Sequence, residues 1–147
     1  MKRTLMAAVA VAIAAAVAAG SASAGASRST LKLRKTSVGT ILVNGRGFTV
    51  YTFTKDRRNQ DNCQNVSGCS GVWPAVSGGS KPSLGPGVKA SMVRTITLKG
   101  GAKQLTYGGH PLYTYVGDGG PGQTSYVNFS EFGGRWPAVN AAGQEVK

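Results

Sequence analysis

The sequence has few acidic residues, two cysteines and one histidine, and each scarcity excludes a class of function. It contains 17 lysines and arginines but only 5 aspartates and glutamates. Two thiols and one histidine cannot form a four-ligand zinc site without carboxylates. His110 has no nucleophile or orienting acid near it in the sequence, and no Gly-x-Ser-x-Gly elbow, phosphate loop or His-Glu-x-x-His helix is present. We therefore expect no enzymatic activity, no metal site and no cofactor.

Amphipathic helical patterns are also missing. After residue 24, no stretch of helical length places apolar residues at a period near 3.6. Short runs rich in β-branched and aromatic residues alternate with turn residues, and the 22 glycines are typical of a turn-rich chain. The sequence predicts an all-β protein with little helix, apart from one short helical turn around Cys69 to Trp73.

The first residues have the pattern of a signal peptide. Met1-Lys2-Arg3 is positively charged, residues 5–19 are apolar, and Ala22 and Ala24 form an A-x-A cleavage site. The apolar run is shorter than the roughly 20 residues that span a bilayer. We expect residues 1–24 to be removed, leaving a secreted, extracellular protein without a transmembrane segment.

Behind the signal peptide, one motif occurs twice. Residues 51–56 and 113–118 share the pattern Tyr, any, aromatic, any, any, Asp, at an offset of 62. Trp-Pro-Ala-Val at residues 73–76 recurs at residues 136–139, at an offset of 63. Ordered matches of rare residues indicate a tandem duplication.

The duplication gives the domain its expected boundaries. Residues 25–37 form a basic segment that we expect to be flexible, and residues 38–147 form the domain. Repeat one covers about residues 38–77 and repeat two about residues 92–140. Each repeat is predicted to be a β-meander, and we expect the two to pack about an approximate twofold axis into one compact domain.

The aromatic residues of the motif are the predicted core of that domain. Side chains two residues apart in a strand share a face, so Tyr51 lies beside Phe53 and Tyr113 beside Tyr115. Such aromatic ladders are more often core than binding platform. We expect these rings to meet Trp73 and Trp136 in a shared interior.

Two interpretations remain open for the motif aspartates. Asp56 and Asp118 each follow a strand, and Asp118 precedes two glycines, where a carboxylate can accept backbone N–H groups and stabilise a turn. Alternatively, these aspartates and the motif tyrosines could bind a small ligand, a metal or a redox partner. The first interpretation is preferred, because a site normally needs several convergent groups.

Cys63 and Cys69 are the only cysteines of a chain that is predicted to leave the cytoplasm. In an oxidising compartment a disulfide is the expected product. It would close a short loop between the first motif and Trp73.

These features together resemble a bacterial family of secreted repeats, often described as predicted lipoproteins with a conserved Y-x-[FWY]-x-x-D motif. The resemblance rests on the doubled motif, the Gly109-His110-Pro111-Leu112-Tyr113 sequence, the paired cysteines before Trp73 and the signal peptide. It covers about residues 38–139. The chain departs from the lipoprotein description because no cysteine lies at the processing site. The resemblance implies export and a repeated fold, and it implies no activity.

The charge suggests a partner class. The formal net charge is +12, and it is +10 once Lys2 and Arg3 are removed with the signal peptide. Such a field attracts a protein to anionic surfaces, although it also serves solubility. Because no nucleic-acid reading motif accompanies it, we expect no specific nucleic-acid binding. The preferred hypothesis is a non-catalytic extracellular or cell-envelope-associated module, possible partners being anionic envelope polymers.

Overall fold

Seven short strands in three small antiparallel sheets make up the regular structure of residues 30–147, the part of the chain that the computed structural model describes. The strands are β1 (Leu31–Thr36), β2 (Gly39–Asn44), β3 (Val93–Thr97), β4 (Lys103–Tyr107), β5 (His110–Pro111), β6 (Phe129–Glu131) and β7 (Gly134–Trp136). One helical turn, α1 (Cys69–Val72), and two 3-10 turns (Cys63–Asn65, Ala90–Met92) complete the elements. The all-β prediction is confirmed. The predicted signal peptide lies outside the described residues.

The first sheet pairs β1 with β2 and corrects one expectation. β1 lies within residues 25–37, where the sequence suggested flexibility, yet Leu31 is fully buried and Leu33 lies opposite Leu42 in the register. A strand with one apolar face buries that face against its neighbour, whatever charge the other face carries. Repeat one therefore begins with β1, ahead of residue 38.

The second sheet has the order β3-β4-β5, as expected of a meander. Its hairpin corresponds to the first one at the offset of the motif, because Leu31 of β1 matches Val93 of β3 and both strands pair with the strand that follows. Each repeat thus opens with an antiparallel hairpin. The stretches after the hairpins, around Tyr51 and Tyr113, pair through isolated bridges instead of regular ladders.

Those bridges join one repeat to the other. The Thr114 N–H donates to the Pro74 carbonyl at 3.0 Å, and the Thr52 N–H donates to the Pro137 carbonyl at 2.8 Å. Each Trp-Pro-Ala-Val segment therefore pairs with the motif strand of the opposite repeat. Proline is compatible with this position because only its carbonyl takes part in the bond.

The same exchange continues into the hairpins. The Leu105 N–H donates to the Val76 carbonyl, and the Leu42 N–H donates to the Val139 carbonyl, both at 2.9 Å. The end of each repeat is thus an additional strand on the hairpin of the other. The two repeats therefore interlock. They pack as equivalent halves, as predicted, because the C-terminal segment of each repeat pairs with the hairpin of the other.

Two main clusters of buried side chains lie at this junction. The aliphatic cluster takes equivalent residues from both repeats, with Leu42 and Leu105, Val50 and Leu112, and Val76 and Val139. The aromatic cluster contains the motif rings, both tryptophans and the disulfide. The predicted shared interior holds for five of the six rings, since Tyr51, Phe53, Trp73, Tyr113 and Trp136 are buried. Tyr115 is only partly buried and packs against the edge of this cluster.

The predicted Cys63–Cys69 disulfide is present, with an S–S distance of 2.02 Å. Both cysteines are fully buried against the aromatic cluster. Because the bond closes a loop of about seven residues, it removes chain entropy from the unfolded state worth on the order of 2 kcal/mol.

We expect reduction of this bond to lower the free energy of unfolding by about 2 kcal/mol. Urea unfolding with and without a phosphine reductant measures the loss. The Cys63→Ala/Cys69→Ala variant should be less stable than the oxidised protein and insensitive to the reductant. A reductant effect on that variant would show that the loss comes from elsewhere.

Candidate functional site

The two motif tyrosines meet at the internal twofold axis. The Tyr51 N–H donates to the Tyr113 carbonyl at 2.8 Å, and the Tyr113 N–H donates to the Tyr51 carbonyl at 2.9 Å. Such a reciprocal pair is what an axis between two equivalent antiparallel strands produces. The first residue of each motif is therefore the point at which the repeats join.

Their side chains cross the axis as well. The Tyr51 hydroxyl donates to the Asp118 carboxylate, 3.0 Å from Oδ2, and the Tyr113 hydroxyl donates to Asp56 Oδ2 at 2.8 Å. Each motif supplies a tyrosine to the aspartate of the other motif. The spacing of Tyr and Asp within one motif thus reflects a contact made between two motifs.

Burial raises the pKa of all four groups, the two tyrosines and the two aspartates. It raises the pKa of both phenols, and the facing carboxylates raise it further, so the hydroxyls remain donors. Burial also raises the pKa of Asp56 to about 7, although the hydrogen bonds from Asn62 and Tyr113 oppose this rise. It raises the pKa of Asp118 too, against the hydrogen bond from Tyr51.

The interpretation that each aspartate stabilises its own turn agrees with the contacts of Asp56 but not with those of Asp118. Asp56 Oδ1 accepts the backbone N–H of Asn62 at 2.7 Å, a local contact within its own repeat. Asp118 differs from the expectation, because its carboxylate accepts from Tyr51 while the Gly119 N–H donates to Gln123 Oε1 instead. Asp118 is buried against the axis and therefore bonds to the donor that is buried with it.

The aromatic rings form a stack that alternates between the repeats. Trp73 and Trp136 are parallel, with centroids 3.9 Å apart and planes 2° from parallel. Phe53 stacks on Trp136 at 4.1 Å, and Tyr115 lies against Trp73 at 4.6 Å. The four predicted core residues outside the Tyr–Asp pairs are therefore one continuous column.

Two residues that the sequence did not single out complete this column. Glu131 binds both indoles, since its carboxylate accepts from Trp73 Nε1 at 3.0 Å and its carbonyl accepts from Trp136 Nε1 at 3.1 Å. Tyr126 extends the stack from Tyr115 at 3.8 Å. Neither residue has an equivalent in repeat one, so comparing the two repeats could not identify them.

Internal bonds occupy nearly all the acidic residues. Besides Asp56 and Asp118, Asp61 is buried and accepts the Gln64 N–H, and the Glu131 carboxylate binds an indole. Glu145 forms an ion pair with Arg135 at 2.6 Å, the one ion pair among the described residues. Thirteen of the fourteen lysines and arginines in residues 30–147 thus have no carboxylate within ion-pair distance.

The remaining candidate groups lie apart from one another. His110 is half-buried in β5 and takes part in no hydrogen bond through its ring, and within residues 30–147 no three His, Cys, Asp or Glu side chains are grouped as a metal site requires. No helix in this part of the chain has the length and hydropathy to cross a membrane.

Comparison with known proteins gives one match. A family described as a secreted repeat of unknown function matches residues 32–77 and again residues 94–140, which together exceed half of the chain. The starts differ by 62 residues and the ends by 63, as the motifs do. The first match begins within β1, in agreement with the corrected repeat boundary. No curated protein and no solved structure matches the chain.

We expect Tyr51→Phe to destabilise the protein by about 2–3 kcal/mol, since it leaves the Asp118 carboxylate buried without its donor. Tyr113→Phe should cost less, about 1–2 kcal/mol, because Asp56 retains the Asn62 N–H. Urea unfolding measures both. As a control, adding Asp118→Asn to Tyr51→Phe should recover stability. If the double variant instead loses the sum of the two single-variant losses, Tyr51 and Asp118 are not directly bonded.

The raised carboxyl pKa values predict a pH dependence. Because the pKa of Asp56 rises from 3.8 to about 7 on folding, the folded state binds more protons between these values. The contribution of this group to stability is therefore complete below about pH 4 and is lost as the pH rises through about 7. We expect the urea midpoint to decrease over this range, and Asp56→Asn/Asp118→Asn to reduce the slope.

The matched control for this experiment is Glu145→Gln, which removes an acid that is partly exposed on the surface. This variant should keep the decrease between pH 4 and 7. If the double Asn variant and the wild-type protein have equal slopes, the two aspartates do not titrate in this range.

Proposed function

The chain belongs to a family of secreted repeats of unknown function, and from that premise we propose that it is a non-catalytic extracellular module that binds an anionic polymer of the cell envelope. The observation that carries this proposal is the state of the acidic residues. They are engaged inside the fold or in one ion pair, so they leave the surface cations uncompensated. The protein therefore presents a positive field to any anionic neighbour.

The placement of the cations favours a polymer over a small anion. Exposed basic side chains occur in both repeats and on separate elements, including Arg34 on β1, Arg94 on β3 and Lys103 on β4. One small anion can contact only a few of them, whereas a long polyanion can follow several. Summed over a polymer, weak contacts of this kind give appreciable retention.

The alternative, a small-ligand, metal or redox site at the two Tyr-x-aromatic-x-x-Asp motifs, fits the contacts less well. Both carboxylates bind tyrosine hydroxyls, and Asp118 is 7% exposed. A ligand would have to displace these donors and open the junction of the repeats. Replacing both aspartates with alanine would then abolish ligand binding in a folded protein, whereas a purely structural role predicts loss of the fold.

Retention of the purified mature protein on isolated cell-wall material tests the proposal. For four contacts to a flexible polyanion, we expect affinity to fall roughly fiftyfold between about 50 and about 200 mM salt. Hydrolysing the anionic polymers of the same wall material should abolish retention. Retention that is independent of salt, or no retention at low salt, would overturn the proposal.

A further inference from the structure

Two basic clefts lie at the places where one repeat meets the other. Cleft one has a volume of about 550 Å³ and lies between the hairpin of repeat one and the loop that follows Asp118. Lys32 of β1 and Arg46 of the turn after β2 form one wall, and Gly119–Pro121 forms the other. Arg46 is held in place over the Phe48 ring, 5.0 Å from its centroid.

Cleft two, of about 300 Å³, occupies the corresponding position in the other half. Arg94 of β3 and Gly108–Gly109 after β4 form one wall, and Arg58 and Asn59, which follow Asp56, form the other. Arg94 matches Lys32 at the offset of 62 that relates the motifs. The internal twofold axis therefore relates the two clefts.

The backbone of the two clefts matches closely. In cleft one the Gly122 N–H donates to the Gly47 carbonyl at 2.9 Å, and in cleft two the Asn59 N–H donates to the Gly109 carbonyl at 2.7 Å. Gly47 and Gly109 have φ values of +90° and +91°, and Gly122 and Asn59 are also left-handed, at +77° and +55°. Two loops of unlike sequence thus adopt the same arrangement.

An arginine lies against each of these glycines. A Cβ atom on Gly109 would come within 2.9 Å of Arg58 Nη1, and one on Gly122 within 2.7 Å of Arg34 Nε. Only glycine admits a guanidinium this close to the backbone at positive φ. Arg34 and Gly122 adjoin cleft one but do not line it, and Arg58 donates to the Gly108 carbonyl at 3.2 Å. No aspartate or glutamate lines either cleft, so the lining cations, Lys32 and Arg46 in cleft one and Arg58 and Arg94 in cleft two, have no carboxylate partner there.

We propose that these two clefts are the binding sites for the anionic polymer, and that each takes one phosphate group of a phosphodiester-linked polyol chain. This inference rests on the function proposed above and specifies its site. Guanidinium groups bind phosphate oxygens bidentately, and each cleft contains at least one arginine. A polynucleotide fits less well, because stacking on bases needs exposed aromatic faces, and cleft two has no aromatic residue in its lining.

Occupation of both clefts by one chain makes binding bivalent. Once one phosphate is bound, the next suitable phosphate of the same polymer is present at high effective concentration near the second cleft. Affinity for a long polymer should therefore far exceed affinity for a single phosphate, and it should depend on both clefts together.

Three charge-matched variants test this inference. Lys32→Gln/Arg46→Gln removes the cations of cleft one, and Arg58→Gln/Arg94→Gln removes those of cleft two. Lys35→Gln/Lys81→Gln is the control, because it removes the same charge from exposed residues that line neither cleft. Thermal unfolding of each variant confirms that the fold is retained.

Binding of a polyglycerol phosphate is then measured at low salt. We expect each cleft variant to lose at least about tenfold in affinity, and the control no more than about threefold. Inorganic phosphate titrated by NMR should shift the amide signals of Gly45 and Gly109 in the wild-type protein. In the cleft-one variant it should shift only Gly109.

The outcomes separate this inference from the function it rests on. If the control loses as much affinity as the cleft variants, binding follows overall charge and the clefts are not sites, although the proposed function stands. If the wild-type protein is retained on wall material but does not bind the polyglycerol phosphate, this inference fails and the proposed function stands. If it is not retained on wall material either, both fail. Equal affinity for a polycarboxylate or a single-stranded polynucleotide of matched charge density would overturn the assignment to a phosphodiester-linked polyol.

Discussion

The structure depends on the contact between Tyr51 and Tyr113 at the internal axis. Their main chains exchange two hydrogen bonds, and their hydroxyls bind the aspartates of the opposite motifs. Neither repeat can make these bonds alone, because a buried phenol or carboxylate without its partner costs free energy. The exchanged Trp-Pro-Ala-Val segments and the stacked tryptophans follow from the same axis. The domain is therefore a single cooperative unit built from two repeats.

This arrangement also explains why most surface cations have no acidic partner. Of the few acidic residues, those nearest the axis serve as acceptors for tyrosine, indole or backbone donors, and they do not neutralise surface cations. In a chain with so few acids, these internal bonds leave most of the lysines and arginines without a carboxylate partner. The fold and the proposed attraction to anionic polymers have one common origin.

Sequence reasoning identified the repeats because tryptophan and tyrosine are rare and recur in order. It correctly placed these rings in the interior and the disulfide between Cys63 and Cys69. It could not reveal that each motif completes the other, since pairing between distant segments leaves no local pattern. Sequence analysis misses β1 because Lys32, Arg34 and Lys35 obscure the alternation of Leu31 and Leu33. The role of Asp118 could not be predicted, because the local sequence does not show which donor is buried beside its carboxylate.

Interlocking of the two ends has a consequence for the order of events in folding. The hairpin of repeat one is completed by Val139, almost a hundred residues after Leu42. Contacts of such long sequence separation are made only after the entropy of closing a large loop has been overcome, and they slow folding. The N-terminal half cannot reach its final form until the last residues of repeat two have emerged. A chain of this design therefore acquires its native topology only after synthesis of both repeats is complete.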